Sequence, residues 1–300
     1  MKYPILILLI LTSQFSFSQN KTYQIKDKTT NELISLVAIV TQKGTGTYSD
    51  ESGKFSLSIA SNDTLFVSHL SYQKVNLTKN DIDKLENLTI FLIPKVTELN
   101  ETVIKPTQPT KMILGYYKEK TFFKGVGPGG KTDFSVFVNH IKNPTEVTGF
   151  LDKLYFDLRV ELFEQSNSKA RIRVFSVGSD GLPKDDVLTK EILKNIDRVS
   201  PNLKIDVSYL NIVFPPEGLF IGLEFFCNRE LIPLKKQGHL KIKTDCPHIP
   251  TAKVSNYEMI GNSYYWSEFR NKMQWICYSN GKFYPGTVGH VYKFGAEISQ

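Results

Sequence analysis

The chain has 300 residues, a formal net charge of +7 and an ordinary globular composition, with 41% hydrophobic and 22% charged residues. At this length two domains are expected, and each is large enough to bury a core without disulfide staples. The basic excess is dispersed and comes without a nucleic-acid-binding motif, so we predict no nucleic-acid partner and interpret it as a solvated surface. An anionic polysaccharide or lipid headgroup is the alternative partner for it. The lysines concerned include Lys118, Lys120, Lys124, Lys235, Lys236, Lys241 and Lys243.

The N-terminus has the features of a secretory signal peptide. Lys2 precedes an unbroken apolar run from Ile5 to Leu11, which is shorter than the roughly 20 residues of a membrane-spanning helix. Ser16 and Ser18 supply the small residues of a cleavage site. We therefore predict a signal peptide over residues 1–18 and an exported protein that is periplasmic, outer-membrane-associated or secreted. No later stretch is long and apolar enough to span a bilayer, so no transmembrane segment is predicted in the mature chain.

The part of the first hundred residues that follows the predicted signal peptide has the pattern of short β-strands separated by turns. Lys54 to Ile59 alternates polar and apolar residues, and Leu65 to Val67 and Leu88 to Leu92 are further strand candidates. Ser49 to Gly53 is a turn cluster. Thr78 to Leu88 is the one helical candidate here, because Thr78 or Asn80 can cap it and Ile82 and Leu85 follow at helical spacing.

A change of composition separates this region from the rest. Residues 105–125 are predicted to be a linker, because Lys105 to Thr110 contains two prolines and lacks large apolar side chains. Within that interval, Met112 to Phe123 carries enough apolar and aromatic residues to pack onto the second domain. Gly127 to Gly130 is glycine-rich, but no Gly-Lys-Ser/Thr follows, so we interpret it as a turn and not as a phosphate-binding loop.

Residues 126–300 show the same pattern of strands and turns, with longer strand segments. Apolar side chains recur at every second position from Leu154 to Val160 and from Leu219 to Phe225. Ile172 and Val174 likewise alternate with Arg171 and Arg173. Asn280-Gly281 predicts a hairpin. Asp185 to Ile196 fits either a helix or a strand. Many short strands cut by turns predict a β-sandwich or jelly-roll domain.

Three stretches of the first region carry a resemblance to a known family. Thr30 to Ile34, Gly46 to Phe55 and Asn62 to Tyr72 resemble the entry strand, the Gly-Thr-x-Ser/Thr-Asp-x-x-Gly-x-Phe stretch and the Asp-x-Leu-x-Val-Ser-x-x-Gly-Tyr strand of the carboxypeptidase-regulatory-like domain. Ser71 stands where the family usually has glycine. The resemblance implies a seven-stranded Greek-key-type sandwich over residues 20–104, without a peptidase site.

Members of this family also occur at the N-terminus of TonB-dependent outer-membrane transporters, but this chain is too short for a transporter barrel. The second half weakly resembles an uncharacterised bacterial β-sandwich, most visibly at Arg171 to Val177 and Phe220 to Glu224. That second resemblance implies no activity.

The side chains that carry chemistry are scattered. The five histidines are His69, His140, His239, His248 and His290, and none lies in a known catalytic signature. We predict no catalytic residue, no metal site and no cofactor. Cys246-Pro247-His248 is the one close pair of metal-ligand residues, which is too few for zinc. Cys227, Cys246 and Cys277 permit one disulfide, and the sequence leaves the pair open.

Aromatic residues near the C-terminus are the best candidates for a ligand platform. On a strand, Tyr264 and Trp266 share one face while Tyr265 points to the other. Flat aromatic faces bind sugar rings or protein partners, although core packing is the commoner role. Tyr264 and Trp266 are therefore the ligand-binding candidates.

These observations favour a non-catalytic exported binding or structural protein of the cell envelope. The N-terminal sandwich would be a rigid spacer, and the C-terminal β-domain would present a surface to a glycan or an envelope protein. One alternative is a hydrolase acting on a surface glycan or peptide, with His140, Asp157, Asp180 and His248 as candidate residues. Another is an accessory subunit of an outer-membrane transporter or secretion system.

Overall fold

The computed structural model describes residues 21–43, 45–95, 109–127, 136–159, 168–196, 202–227, 229–233, 240–244, 246–255, 263–269, 272–277 and 288–300. The predicted signal peptide, residues 1–18, and the predicted Asn280-Gly281 hairpin lie outside these residues. Nearly all regular structure in the described part is β-strand, which confirms the predicted all-β fold. No helix in this part of the chain has the length and apolar character needed to cross a bilayer.

The N-terminal domain is a sandwich of seven strands in two sheets, as predicted. One sheet has the order β4-β1-β7, with β1 at Thr22–Asp27, β4 at Lys54–Ser56 and β7 at Thr89–Leu92. The other has the order β3-β2-β5-β6, with β2 at Ala38–Thr41, β3 at Gly46–Tyr48, β5 at Thr64–Ser68 and β6 at Val75–Thr78. Ile25, Ile39, Leu65 and Leu92 fill the space between the two sheets, and in β1, β4, β5 and β7 burial alternates from one residue to the next as the strand period requires.

The predicted helix at Thr78 to Leu88 is present but short. Helix α1 spans Lys79–Asp83, and a 3-10 turn follows at Glu86–Leu88. Thr78 caps α1 through a capping box, in which its hydroxyl accepts from the Asp81 backbone and the Asp81 carboxylate accepts from the Thr78 backbone. These reciprocal bonds satisfy two donors that a helix start otherwise leaves open.

The C-terminal domain is built on two antiparallel sheets that share one core. The larger, which we call the large sheet, has the order β13-β12-β17-β10-β21-β22, with β14 also paired to β12. Its strands are β10 (Val136–Ile141), β12 (Lys169–Val177), β13 (Pro183–Asp186), β14 (Leu193–Asn195), β17 (Leu219–Phe226), β21 (Ser263–Phe269) and β22 (Lys272–Cys277).

The opposing sheet has the order β15-β11-β24-β8, with β16 paired to β11. Its strands are β8 (Lys111–Gly115), β11 (Gly149–Asp157), β15 (Asn202–Asp206), β16 (Val213–Phe214) and β24 (Phe294–Ser299). Leu154 and Ile298 from this sheet meet Ile172 and Leu223 from the large sheet in a single buried cluster. The described residues between 111 and 300 therefore form a second β-sandwich.

Two smaller elements complete this domain. A three-stranded sheet has the order β23-β20-β9, with β9 at Thr121–Val126, β20 at Ile249–Ser255 and β23 at Val288–Tyr292. A hairpin pairs β18 (Arg229–Pro233) with β19 (Leu240–Thr244). Of the alternatives left open for the cysteines, the structure has a Cys227–Cys246 disulfide, which closes the base of this hairpin and does not include Cys277.

Two parts of the sequence interpretation are refined by these elements. Asp185 to Ile196, left open between helix and strand, contributes to β13 and β14 and forms no helix. The interval predicted as a linker, 105–125, is described from residue 109 onward, and there it forms β8 and β9 of the second domain. The apolar side chains of Met112 and Leu114 account for this, because they pack on the shared core.

Candidate binding face of the large sheet

The outer face of the large sheet, which points away from the shared core, carries the side chains of chemical interest. On β12, the alternation that buries Ile172 and Val174 turns Arg171, Arg173 and Phe175 outward. The register then aligns three rows across the sheet. They are Arg171-Glu224-Val136-Trp266-Trp275, Arg173-Gly222-Val138-Tyr264-Cys277, and Phe175-Phe220-His140.

One half of this face is a buried ion cluster, which comprises Arg171, Arg173, Asp186, Glu191 and Glu224. Arg171 and Glu224 are only 1% and 2% exposed. The Glu224 carboxylate accepts from Nη1 of Arg171 at 3.1 Å and from Nη1 of Arg173 at 2.7 Å. Nε of Arg173 donates to Asp186 at 2.6 Å, and Nε of Arg171 donates to Glu191 at 2.7 Å. Each guanidinium thus lies between two carboxylates, which offsets the large cost of removing these charges from water.

The N-terminal domain covers the ion cluster and takes part in it. The Tyr48 hydroxyl donates to Oε1 of Glu224 at 2.7 Å, and the Leu36 carbonyl accepts from Nη2 of Arg171 at 2.9 Å. The Tyr48 ring also meets Phe226 edge-on, with 4.5 Å between centroids. Leu36 has a φ of 54°, which is uncommon for a residue with a side chain. The domain interface is therefore made of directional bonds to buried charges as well as apolar contact.

The charges of the cluster shift the pKa of the groups beside them. Burial alone would raise the pKa of the Glu224 carboxyl, but the charges of Arg171 and Arg173 and the bond from Tyr48 outweigh it and lower that pKa to about 2. Burial and the Glu224 charge raise the pKa of the Tyr48 hydroxyl well above its ordinary value. Glu224 is therefore ionised and Tyr48 neutral across the physiological range.

His69 of the N-terminal domain also lies against the cluster. Its Nδ1 accepts from the Ser71 backbone at 3.2 Å, so the ring proton is on Nε2, which is 3.9 Å from Oε1 of Glu191. Burial and the nearby Arg171 charge lower the pKa of His69 to about 4. This histidine is neutral at pH 7, and its protonation would place a further positive charge beside a buried guanidinium.

The other half of the outer face is aromatic. Trp266 and Trp275 are in register on β21 and β22, and their rings meet edge-on with centroids 5.2 Å apart. Tyr264 is 8% exposed and packs edge-on against Phe220 at 5.6 Å. Tyr265 points to the opposite face and contacts Phe137. The prediction that Tyr264 and Trp266 share one face is therefore confirmed, and the face includes the second tryptophan as well.

The large sheet curls so that this aromatic half is concave. Three strands separate β12 from β22, and at about 4.8 Å per strand a flat sheet would hold them roughly 19 Å apart. Yet the rings of Phe175 on β12 and Trp275 on β22 touch, with centroids 5.5 Å apart. Gly222 allows the bend, because a Cβ there would lie 2.1 Å from the Phe137 carbonyl oxygen of the paired strand. The concave side consequently has an apolar cluster of its own, separate from the shared core.

The candidate hydrolase residues lie in different local settings. His140 is on the outer face, stacked on Phe220 at 4.7 Å, with Nε2 2.8 Å from the Glu217 carbonyl oxygen. Asp180 is in the turn between β12 and β13 and accepts from the Leu182 backbone at 3.0 Å. Asp157 instead belongs to the opposing sheet.

The Asp157 carboxylate binds Nζ of Lys293 at 2.7 Å. His248 forms a backbone bridge with Arg159, just beyond β11. Cys246 forms the disulfide with Cys227, so the pair of Cys246 and His248 has no thiolate that could bind a metal. No cluster of three or more metal-ligand residues occurs among the described residues.

The ion cluster is the feature that the sequence interpretation missed. Its sequence signal was present, because Arg171 and Arg173 alternate with buried residues and Glu224 occupies the same face of a neighbouring strand. Alternation identifies this as the side away from the core. It does not reveal that a second domain covers that side.

Comparison with known proteins identifies the N-terminal domain. Residues 24–104 match the family model of the CarboxypepD_reg-like domain, which confirms the resemblance found in the sequence. The match covers the N-terminal sandwich and leaves the second domain unassigned. No curated protein matches the chain.

Two solved structures show weak similarity over most of the chain. The clostridial cysteine protease Cwp84 after propeptide cleavage matches with a TM-score of 0.37 and 12% identity, over 92% of this chain and 61% of that one. A structure of the infectious bursal disease virus Gt strain matches with a TM-score of 0.24 and 12% identity, over 89% of this chain and 55% of that one. This chain thus spans about three fifths of the protease and just over half of the viral chain. At these TM-scores neither similarity supports a conclusion about function.

Proposed function

We propose that the protein is an exported, non-catalytic binding protein of the bacterial cell envelope, and that it holds a carbohydrate on the concave aromatic half of the large sheet. The half-buried pair of Trp266 and Trp275 carries the proposal. Indole rings provide flat apolar surfaces onto which the apolar face of a pyranose ring packs. The assignment to the envelope rests on the signal-peptide features of residues 1–18 and on the N-terminal domain, whose family is common in envelope proteins.

The shape and chemistry of the face support a binding role. The concave curl gathers aromatic rings from β12, β17, β21 and β22 into one apolar cluster, and within it Trp266 and Trp275 stay partly exposed, where a ligand would meet them. His140 is next to this surface, where its Nε2 already engages the Glu217 carbonyl oxygen. An array of rings with a few polar groups at its margin is the usual composition of a recognition surface.

The strongly shifted carboxyl at Glu224 supports binding over hydrolysis. Perturbed pKa values in a buried cluster are often a sign of catalysis. Here the Glu224 carboxylate is occupied by two guanidinium groups and by the Tyr48 hydroxyl, and the N-terminal domain covers it. The lowered pKa of Glu224 is thus accounted for by Arg171 and Arg173 and by the hydrogen bond from Tyr48.

The tryptophans themselves provide the measurement. Trp266 and Trp275 are the only tryptophans in the chain, so intrinsic tryptophan emission reports on this site without a label. The mature protein would first be screened on a glycan array, and a bound oligosaccharide would then be titrated while emission is recorded. We expect a saturable change in emission, and about tenfold or weaker binding in the Trp266→Phe and Trp266→Ala variants.

Matched controls distinguish the site from general aromatic contact. Tyr209→Ala removes an aromatic side chain that is 60% exposed and lies away from the large sheet, and it should bind as the wild type does. Retention of the wild-type unfolding midpoint would show that a weakened variant is folded. The proposal is wrong if the folded protein binds no glycan, or if binding leaves the emission unchanged. Turnover of an oligosaccharide that is lost in His140→Ala or Asp180→Ala would support the hydrolase alternative instead.

A further inference from the structure

A pair of adjacent phenylalanines is exposed on β9, far along the chain from the aromatic half of the large sheet. Phe122 is 53% exposed and Phe123 is 41% exposed. We call these two residues the Phe pair. In a regular strand, consecutive side chains point to opposite faces, so two neighbouring exposed rings require a special arrangement of the backbone.

A β-bulge provides that arrangement. Thr121 is in register with Ala252 and Phe123 with Thr251, so Phe122 is an extra residue on β9. Phe123 lies on the face of Thr251, and the ring of Phe122 meets the ring of His290 edge-on at 5.6 Å. His290 and Lys253 are paired across β23 and β20 on that face. The bulge therefore turns both phenylalanine rings to one side of the three-stranded sheet.

Basic residues precede the Phe pair in the chain and lie on the neighbouring strand β20. Lys118 and Lys120 are exposed in the segment that leads into β9, and Lys253 is exposed on the neighbouring strand. Glu119 is the exposed acidic residue of the same segment. The described surface therefore combines two protruding aromatic rings with an excess of positive charge. The whole chain has the same sign, with a net charge of +7.

The backbone of β9 argues against an added protein strand as the partner. β9 is the outer strand of its sheet, and its pairing with β20 shifts twice within six residues. A strand with such irregularities offers a poor template for a further strand, since the ladder of donors and acceptors is interrupted. A bilayer surface needs no such ladder, because aromatic rings enter the interface and lysines remain at the headgroups.

We propose that the Phe pair and these lysines form a docking surface for an anionic phospholipid membrane. The rings of Phe122 and Phe123 enter the headgroup region, and Lys118, Lys120 and Lys253 bind the lipid phosphates. The contact is peripheral and reversible. This surface is on the three-stranded sheet, so the proposal is independent of carbohydrate binding by the large sheet.

Vesicle sedimentation with the mature full chain tests the proposal. We expect binding to vesicles of mixed phosphatidylglycerol and phosphatidylcholine, weaker binding at high salt, and little binding to phosphatidylcholine alone. The Phe122→Ser/Phe123→Ser variant should lose about tenfold or more of its affinity for the mixed vesicles. Replacing Lys118, Lys120 and Lys253 by Gln should lower the affinity about fivefold per lysine and remove the salt dependence.

The matched control removes exposed aromatic rings elsewhere. Phe66→Ser/Tyr209→Ser changes rings that are 40% and 60% exposed on other surfaces, and it should bind vesicles as the wild type does. A lysine control is Lys184→Gln, since Lys184 is exposed on β13. Absence of wild-type binding to the mixed vesicles would refute the proposal. Equal loss of binding in the Phe66/Tyr209 control would also refute it, as would full binding by the Phe122/Phe123 variant.

A spectroscopic test reports on ring insertion directly. In a Trp266→Phe/Trp275→Phe background, Phe122→Trp supplies a single tryptophan at the docking surface. We expect a blue shift of its emission when the mixed vesicles are added, because the indole leaves water. A Tyr209→Trp reporter in the same background should keep its emission unchanged. If the Phe122→Trp reporter showed no shift under conditions where the protein sediments with vesicles, the contact would belong to another surface.

Discussion

The two halves of the outer face of the large sheet are covered in different ways. The ion cluster is covered by another domain, and its stability depends on pairing each guanidinium with carboxylates and on the hydrogen bond that the Tyr48 hydroxyl donates to Glu224. The aromatic half is covered by the curl of its own sheet, which brings Phe175 against Trp275. The ionic half is therefore closed by partners of fixed geometry, whereas the aromatic half keeps Trp266 and Trp275 partly exposed. This difference is why we place domain cohesion in the first and ligand binding in the second.

Removing Glu224 should produce the largest effect on stability. In Glu224→Ala, Arg171 stays buried with only the Glu191 carboxylate to balance its charge, and Tyr48 loses its acceptor. An uncompensated buried charge costs about 3–5 kcal/mol, so we expect a loss of this size in the free energy of unfolding. Urea denaturation followed by circular dichroism measures it.

The control for this change is Glu51→Ala. Glu51 is 90% exposed in its side chain and forms an exposed ion pair with Lys169, so its removal should change the free energy of unfolding by less than about 0.5 kcal/mol. A loss below about 1 kcal/mol in Glu224→Ala would mean that the ion cluster does not hold the two domains together.

Lowering the pH should destabilise the folded protein at the ion cluster, because His69 becomes protonated there. Its pKa in the folded protein is about 4, below the roughly 6.5 of an unfolded histidine. Between these values the unfolded state binds more protons, so stability is complete above about pH 6.5 and falls as the pH is lowered toward 4. The loss can reach about 3 kcal/mol, at 1.36 kcal/mol per unit of pKa.

The measurement is the free energy of unfolding as a function of pH. In His69→Gln the slope between about pH 4.5 and 6.5 should become clearly shallower than in the wild type. Burial also lowers the pKa of His140 and of His290, so both contribute to the wild-type slope. His140→Gln is the matched control from the aromatic half. If it flattened the curve more than His69→Gln did, the pH sensitivity would belong to the aromatic half and not to the domain interface.

The sequence was sufficient for the parts of this comparison that depend on local pattern. Two-residue alternation identified which side of β12 and β17 faces the shared core, and it placed Tyr264 and Trp266 on one face. Thr78 and Asp81 form the cap that marks the start of α1. These features need only neighbouring residues and the strand or helix period, so a single sequence contains them.

The rest depends on contacts between residues that are distant in the chain. Tyr48 reaches Glu224 across 176 positions, and nothing in either segment specifies the other. The curl of the large sheet requires the order of its strands, which alternation does not determine. The segment Asp185 to Ile196 shows the same limit on a smaller scale, since its partner strand β12 decides between helix and strand. The disulfide between Cys227 and Cys246 likewise follows from how the hairpin β18–β19 returns the chain.

A methyl group at position 222 should disturb the aromatic half. In Gly222→Ala the added Cβ would lie 2.1 Å from the Phe137 carbonyl oxygen, so β17 and β10 must move apart or the sheet must flatten. Overpacking of this kind costs about 1–3 kcal/mol, and we expect this variant to be near the middle of that range. Tryptophan emission should also shift to the red, because flattening separates Phe175 from Trp275 and admits water.

Gly181→Ala is the control for stability, since an added Cβ there meets nothing within 4 Å, although its positive φ adds some strain. An unchanged emission spectrum in Gly222→Ala would show that the curl does not depend on this glycine.

The smallest expected effect on stability is at the exposed edge of the interface between the two domains. Lys169 reaches Glu51 of the N-terminal domain at 3.5 Å, but the Glu51 side chain is 90% exposed. An ion pair of this kind contributes about 0–1 kcal/mol, because water screens it and two long side chains lose freedom in forming it. Lys169→Gln should therefore change the free energy of unfolding by less than about 0.5 kcal/mol, and the change should vanish at high salt. The Lys169–Glu51 pair joins the two domains directly at an exposed site, whereas the buried ion cluster reaches the N-terminal domain through hydrogen bonds to the Leu36 carbonyl and from the Tyr48 hydroxyl. If Lys169→Gln cost as much as Glu224→Ala, charge pairing alone would explain the interface, and the enclosure of Glu224 would not be what stabilises it.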